Sequence, residues 1–208
     1  MGGALELFGS LTTFAFGLVV GVFVPLYLMA MPEPVVNWAL RLFPPNHKPR
    51  AREVLSIMRA SLLRWLKGRL LSMAMVGVLW TVALYLIGIP GALFLGILAG
   101  LLEFVPYVGP VISTVPPVVL ALAGDSTYVL WVLLSYLLIQ QVEGFLLTPL
   151  IEGRVTSLHP AAVIVTVTIA GVAFGFLGVL LAVPTTLVVK VLVEECWFRR
   201  LEASEKAA

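Results

Sequence analysis

Residues 69–103 have the sequence RLLSMAMVGVLWTVALYLIGIPGALFLGILAGLLE, with no charged side chain between Arg69 and Glu103. The turn Gly88-Ile89-Pro90-Gly91 interrupts this apolar stretch, because proline removes a backbone donor and glycine favours turns. The pattern therefore predicts a membrane-crossing helix over 70–88, about 28 Å long at 1.5 Å per residue. It also predicts a helix over 92–102 of about 16 Å, which is about half a crossing.

The whole chain shares this apolar character. Of its 208 residues, 61% are hydrophobic and only 12% are charged, and the mean hydropathy is +1.08. These values exclude a soluble globular domain and a disordered chain. A net charge of +2 provides no general basic field to attract nucleic acid, and the single cysteine, Cys196, cannot form an intramolecular disulfide. The sequence predicts an all-α integral membrane protein, a polytopic helical bundle forming a single transmembrane domain over 1–208.

Further apolar segments lie on both sides of the opening stretch. A transmembrane helix is predicted over 11–31, where a signal peptide is the alternative although the segment lacks a basic leader region. The motif Glu103-Phe-Val-Pro-Tyr-Val-Gly-Pro110 separates two short apolar pieces and predicts a helical hairpin over 92–123, either broken or re-entrant in the membrane. Another transmembrane helix is predicted over 126–142.

The last apolar stretch predicts a second hairpin, over 160–193. Glycines at positions 171, 175 and 178 and the proline at 184 divide it into two helical pieces. The pair Ala99-Gly100 in the first hairpin is echoed by Ala170-Gly171 in the second, at an offset of about 70 residues. Repeats built from discontinuous helices are common in secondary transporters.

The positive charge of the chain is concentrated between positions 41 and 69, where a single acid, Glu53, opposes eight basic residues. Leu55, Met58, Leu62 and Trp65 recur at helical spacing and predict a basic amphipathic helix over 50–68 at the cytoplasmic membrane surface. Calmodulin-target and nucleic-acid readings fit the charge alone, but a membrane helix on each side favours anionic lipid headgroups. The predicted headgroup contacts are Arg52, Arg59, Arg64, Lys67 and Arg69.

The distribution of charge also predicts an orientation. If the helices over 11–31, 70–88 and 126–142 each cross once and both hairpins return to the side they left, all thirteen Lys and Arg fall on one side. The positive-inside rule makes that side cytoplasmic. We therefore expect a multi-pass protein of the inner (plasma) membrane with its N-terminus outside and its C-terminus in the cytoplasm.

Glu103 is the most informative charge, because a carboxylate near the bilayer centre costs ~2.5–3.5 kcal/mol. Such a residue is retained for a cation, a proton or a polar solute, unless the turn simply reaches solvent. Glu143 with its amide neighbours forms a second polar cluster at a helix end, and an interfacial helix end is the alternative there. For His159, helix capping is the alternative to proton relay. The candidates for the transport pathway or ion coupling are Glu103, Tyr107, Gln140, Gln141, Glu143 and His159.

Other residues of these motifs are predicted to be architectural. Proline and glycine free carbonyl groups or permit close backbone approach, and Gly96-x-x-x-Gly100 permits close helix packing. The structural motif residues are Pro106, Gly109, Pro110, Gly144, Pro149, Pro160, Gly175, Gly178 and Pro184. No phosphate loop, zinc helix or nucleophile elbow occurs in the sequence, so we predict no catalytic residue, cofactor or metal site.

Four motifs in order resemble the autoinducer-2 exporter family of membrane proteins: the Glu103–Pro110 motif, Gln140-Gln-Val-Glu-Gly144, Leu158-His-Pro160, and Phe174-Gly-Phe-Leu-Gly178 leading to Pro184. The resemblance implies a homo-oligomeric transporter. Its members are exporters of autoinducer-2 (AI-2), a quorum-sensing signal, or sodium or lithium/proton antiporters. The expected partners are thus membrane lipids and a small polar solute, or a monovalent cation and a proton, with no nucleic acid.

The sequence departs from this family pattern in three ways. Members usually have further N-terminal helices, which predicts that this chain is a short form or a fragment. Phe145 replaces the usual Asn after the Gln-x-x-Glu-Gly motif, and Gly68-Arg69 replaces the usual Gly-Gln pair. A non-transporting membrane scaffold is the competing hypothesis from another functional class.

Overall fold

A computed structural model of the chain describes residues 32–124, 126–147 and 160–195. Every regular element in these ranges is helical and none is a strand, which confirms the predicted all-α architecture. The predicted helix over 11–31 lies outside the described residues, and so do Pro149 and His159.

The described part of the chain contains six α-helices. In order they are α1 (Pro32–Leu40), α2 (Lys48–Ile87), α3 (Ala92–Leu102), α4 (Val108–Ala123), α5 (Thr127–Val142) and α6 (Pro160–Val193), with a 3-10 turn (Pro45–His47) before α2 and a π-helical segment (Glu143–Leu147) after α5. The chain forms two compact units: a central unit, Arg64–Ser157, and a terminal unit made of the chain on either side of it.

Helix α2 corrects one prediction. The expected boundary between an amphipathic helix over 50–68 and a membrane helix over 70–88 is wrong, because α2 continues unbroken for 40 residues. No proline lies near that boundary, and a lone Gly68 costs a helix only about 1 kcal/mol relative to alanine. A helix of this length measures about 60 Å, twice the ~30 Å hydrocarbon core. It can cross the membrane with its charge-free half and extend beyond it with its basic half.

The break in residues 69–103 occurs where the sequence predicts it. Helix α2 ends in a turn whose Gly88 and Gly91 have φ angles of 90° and 73°, a left-handed conformation that suits glycine. Helices α3 and α4 follow as the two arms of the first hairpin. Two short helices thus flank residues 103–107.

Glycines bring α2 and α3 into close contact within the central unit. A Cβ atom on Gly96 would lie 2.7 Å from the carbonyl oxygen of Gly77, and one on Gly100 would lie 2.6 Å from that of Met73. No side chain larger than hydrogen fits at either position. The predicted close packing at Gly96-x-x-x-Gly100 is confirmed, and it occurs within the chain.

The core of the central unit forms around this contact. Trp80 and Leu84 of α2 are almost completely buried, as is Val132 of α5. The other buried members are Val76, Ile89, Ala92, Leu95, Ala99, Ala121 and Ile139. Helices α2 to α5 are thus held by one apolar core.

In the terminal unit, α6 is two helical pieces joined at Gly175, whose φ of 62° and ψ of −145° are not helical. The break lies at one of the glycines that the sequence analysis singled out in the predicted second hairpin. A Cβ atom on Gly178 would lie 1.9 Å from the carbonyl oxygen of Ala170, so the two pieces approach closely just after the turn. At the far end, Arg50 donates to the carboxylate of Glu195 at 2.8 Å and to its backbone carbonyl at 3.0 Å.

The described helices present large apolar side chains on their surfaces. Val172 is 86% exposed and Leu86 is 78% exposed. Among the residues that the structure describes, three helices are long and apolar enough to cross a membrane: Pro45–Ile87, Thr127–Phe145 and Ala161–Val193. Apolar surface of this extent suits contact with lipid, as expected for a multi-pass membrane protein.

Candidate functional site

The candidate site is built on the turn between α3 and α4. The N–H of Glu103 donates to the carbonyl of Ala99 and the N–H of Gly109 to that of Val105, each at 2.9 Å. Tyr107 has a φ of 65°, which residues other than glycine rarely adopt. A Cβ atom on Gly109 would lie 2.0 Å from the carbonyl oxygen of Leu102, so the turn requires glycine there. These constraints fix the backbone that carries Glu103.

Glu103 is completely buried, and its partner is an arginine. Arg69, only 6% exposed, donates from Nη2 to Oε1 of Glu103 at 2.8 Å. Its Nε donates to the carbonyl oxygen of Phe104 at 3.2 Å. One guanidinium from α2 therefore holds both the carboxylate and the backbone of the turn. Breaking such a buried pair typically costs about 3–5 kcal/mol, because the remaining charge is left uncompensated.

A second carboxylate faces the same guanidinium. Oε1 of Glu143 lies 3.8 Å from Nη1 of Arg69, at the point where α5 passes into its π-helical segment. Gln140, one turn earlier, donates from Nε2 to Oε2 of Glu143 at 3.3 Å. We call Arg69, Glu103, Gln140 and Glu143 the ion-pair cluster. With its acids ionised, the cluster has two negative charges and one positive.

One atom of the cluster has an unfilled hydrogen-bonding capacity. Oε2 of Glu103 is buried, and no described residue donates a hydrogen bond to it. Because buried polar atoms are almost always hydrogen bonded, this oxygen is positioned to accept a donor from another species. One oxygen of the Glu103 carboxylate thus accepts from Arg69, and the other is available to accept a further hydrogen bond.

Two buried aromatic residues lie close to cluster residues along the chain: Trp65 is one helical turn before Arg69, and Phe104 follows Glu103. Trp65 and Phe104 are both buried and meet edge to face, with ring centroids 5.8 Å apart and an interplanar angle of 75°. A buried environment lowers the local dielectric constant, which strengthens interactions between charges within it.

The structure brings together three of the predicted site residues, Glu103, Gln140 and Glu143. Tyr107, by contrast, is 52% exposed, and Gln141 also lies on the surface. His159 lies outside the described residues.

Arg69 corrects the predicted lipid contacts. It is buried and paired with Glu103, so it does not face lipid headgroups, whereas Arg52, Arg59, Arg64 and Lys67 are exposed as expected. The position of Arg69 on the helix indicates its burial. Arg69 is four residues beyond Trp65 and seven beyond Leu62, on the same stripe as the apolar side chains. A charged residue on a buried stripe requires a partner, and that partner is Glu103.

The residues predicted to be architectural differ in their surroundings. Gly109 and Gly178 permit close backbone approach and Gly175 provides the turn of α6, as expected. Gly144 is exposed, and a Cβ atom there would meet nothing within 4 Å, so close packing does not explain it. Pro106 is partly buried, Pro110 is buried and Pro184 lies inside α6. Pro160 begins α6, and Pro149 lies outside the described residues.

Together, the helices and the cluster define a multi-pass, all-α membrane protein with a buried ion pair at the turn of a helical hairpin. The part of the chain that the structure describes contains no group of three or more His, Cys, Asp or Glu that could hold a metal ion. A family model described as AI-2E family transporter matches residues 1–197. The chain belongs to the AI-2E transporter family.

Individual relatives agree with this assignment. YueF of Bacillus subtilis (strain 168), named as a candidate transport protein, is 28% identical over 183 residues, which are 88% of this chain and 50% of that protein. PerM of Escherichia coli (strain K12), named as a candidate permease, is 31% identical over 186 residues, 88% of this chain and 52% of PerM. The AI-2 transport protein TqsA of Escherichia coli (strain K12) is 38% identical over 101 residues, 48% of this chain and 29% of TqsA.

The chain spans about half the length of the curated relatives YueF and PerM. The names of the family and of these relatives indicate a transporter rather than an enzyme.

Proposed function

We propose that this chain forms the pathway of a secondary transporter that exports a small polar solute such as AI-2. The observation that carries the proposal is the ion-pair cluster at the turn of the first hairpin. Ionisable residues within apolar helices are costly and mark solute or ion pathways. Oε2 of Glu103 offers a buried acceptor to a hydroxyl donor of such a solute. The similarity to TqsA supports AI-2 as the first solute to test.

The proposed orientation in the inner membrane has the N-terminus outside and the C-terminus in the cytoplasm. The basic half of α2 then lies on the cytoplasmic side, where anionic headgroups attract basic residues by about 1 kcal/mol each. Four exposed basic side chains support this lipid contact: Arg52, Arg59, Arg64 and Lys67. We also propose a homo-oligomer as the working unit, on the family resemblance.

A second candidate function is sodium or lithium/proton antiport. The observation that favours it is the surplus of negative charge in the cluster, where Arg69 faces both Glu103 and Glu143. Two carboxylates with one guanidinium retain one formal negative charge, which a cation or a proton can neutralise.

Flux in proteoliposomes tests both candidates. The purified chain is reconstituted with a pH-sensitive dye inside, and sodium, lithium and AI-2 gradients are imposed in turn. Saturable movement of AI-2 without coupled proton movement supports export. Proton movement driven by sodium or lithium instead supports the second candidate. No flux of any kind contradicts both, and favours a non-transporting scaffold.

A matched pair of variants links the flux to the cluster. Glu103→Gln removes the buried charge and should abolish flux. Glu194→Gln makes the same chemical change at a side chain that is 54% exposed and 3.7 Å from Lys190, so flux should be unchanged. Equal flux in both variants would refute the role of Glu103.

A further inference from the structure

We infer that Arg69 is a built-in counter-ion that occupies a binding site for a monovalent cation, so that the cluster needs no cation from solution. This inference deepens the proposed solute export. Its significance for transport rests on that proposed function. In this view the guanidinium of Arg69 permanently replaces the ion that would otherwise be coupled to transport. The oxygen atoms around the guanidinium are the ligands of the site that it fills.

The first argument is the set of atoms around the guanidinium. Within 3.8 Å of its nitrogens lie Oε1 of Glu103, the carbonyl oxygen of Phe104 and Oε1 of Glu143, at 2.8, 3.2 and 3.8 Å respectively. Carboxylate and carbonyl oxygens are the groups by which proteins bind hard cations. Three such oxygens, two from the turn after α3 and one from the end of α5, therefore converge on a single positive charge.

The second argument is the dependence of Glu103 on that charge. Glu103 is completely buried, whereas the side chain of Glu143 is 16% exposed and accepts a hydrogen bond from Gln140. Glu143 therefore keeps some contact with solvent. Glu103 has no other ion-pair partner among the described residues. An ionised carboxylate without a partner in an apolar interior is strongly unfavourable, so after loss of the guanidinium Glu103 must take up either another cation or a proton. The salts in the test below distinguish these two cases.

The third argument is the space that a shorter side chain would leave. Arg69 reaches the turn from α2 with its long side chain, and it is buried there. Replacing it with glutamine removes the charge, keeps a polar side chain and vacates the position of the guanidinium. The oxygens of Glu103, Phe104 and Glu143 would then face the space that the guanidinium vacates.

The test is the thermal stability of the purified full chain in detergent. Arg69→Gln and the unchanged protein are melted at pH 8 in chlorides of sodium, lithium, potassium or choline at one ionic strength. The unchanged protein should melt at the same temperature in all four salts. Arg69→Gln should melt at least about 5 °C higher in sodium or lithium than in choline, at a cation concentration about 100 times its dissociation constant.

Two further variants serve as controls. Arg69→Lys keeps a positive charge, so it should show no difference between sodium and choline. The double variant Arg69→Gln with Glu103→Gln removes the acid that requires the cation, so its salt response should disappear. If Arg69→Gln is monodisperse only when purified in sodium or lithium, the inference is supported; if it is aggregated in every salt, the inference is overturned.

Other outcomes also overturn it. One is a specific stabilisation of the unchanged protein by sodium or lithium that Glu103→Gln removes, because the cation site would then be open beside Arg69. Another is a folded Arg69→Gln protein with the same melting temperature in all four salts. Neither result depends on flux, so failure of this inference is distinguishable from failure of the proposed export.

Discussion

The first hairpin and the two-piece helix α6, which we call the second hairpin, turn with similar backbone conformations but differ in charge. The first turns at Tyr107 with a φ of 65° and the second at Gly175 with a φ of 62°, and in each a glycine soon afterwards packs against a carbonyl of the preceding arm. The first carries the buried Glu103, whereas α6 has no charged residue before Lys190. The turn geometry is therefore architectural. What distinguishes the first hairpin is the arginine that α2 supplies.

The largest expected effect is confined to the first hairpin. Arg69→Met should lower the free energy of unfolding by about 3–5 kcal/mol in choline chloride, because Glu103 loses its buried partner. The measurement is a denaturant or thermal melt in detergent. Arg59→Met, at an exposed position of the same helix, should change the stability by no more than about 0.5 kcal/mol. Equal effects of the two substitutions would mean that the ion pair with Arg69 does not stabilise the first hairpin, and would remove its distinction from the second.

The next effect should be common to both hairpins. Gly109→Ala and Gly178→Ala each place a methyl group about 2 Å from a backbone carbonyl oxygen, at 2.0 and 1.9 Å. Neither contact can be relieved by a side-chain rotation, so each substitution should cost about 3 kcal/mol. Melting curves of both variants check this, with Gly144→Ala, which meets nothing within 4 Å, as the neutral control. A large cost at only one of the two glycines would show that the turns are not equivalent.

Substitutions at the two turn residues should have unequal effects on stability. Gly175→Ala forces a Cβ into a region that is nearly restricted to glycine and should cost about 1–3 kcal/mol. Tyr107→Gly relieves a similar conformation but gives the unfolded chain more freedom, so its net effect should be within about 1 kcal/mol of zero. Both are measured by thermal melts. A loss of several kcal/mol in Tyr107→Gly would mean that its side chain, and not the backbone, holds the first turn.

The smallest expected effect on stability concerns the exposed basic residues of α2, in contrast to the buried Arg69. The double substitution Arg52→Gln with Arg59→Gln removes two exposed positive charges and should leave stability in neutral detergent within about 0.5 kcal/mol of the unchanged protein. Stabilisation by added anionic lipid should fall by about 1 kcal/mol for each charge removed. Melts with phosphatidylglycerol and with phosphatidylcholine measure the difference. An undiminished response to phosphatidylglycerol would contradict the proposed headgroup contact.

Much of the fold was predictable because its signals are local. Proline and glycine at 88–91 end α2, and the motif after Glu103 separates α3 from α4. A continuous helix through Gly68 was not predicted, because one glycine is a weak signal that packing outweighs: Trp65 and Leu66 on one side and Val76 and Trp80 on the other are all buried.

The candidate site was only partly predictable. Glu103 and Glu143 stood out as ionisable residues beside broken apolar helices. Their common partner did not, because Arg69 lies in a basic segment whose other members face outward. Only its helical position on the apolar stripe set it apart, and that position identifies a buried residue without identifying what it contacts.

The sequence by itself determined the class of protein and the helix breaks at 88–91 and 103–107. Each of these depends on hydropathy or on the backbone preferences of neighbouring residues, which are written into short stretches of chain. The tertiary structure alone decided that Arg69 meets Glu103, 34 residues away, and Glu143 beyond it. That meeting depends on how α2, the first hairpin and α5 pack, because a guanidinium acquires a buried partner only when the fold brings a carboxylate to it.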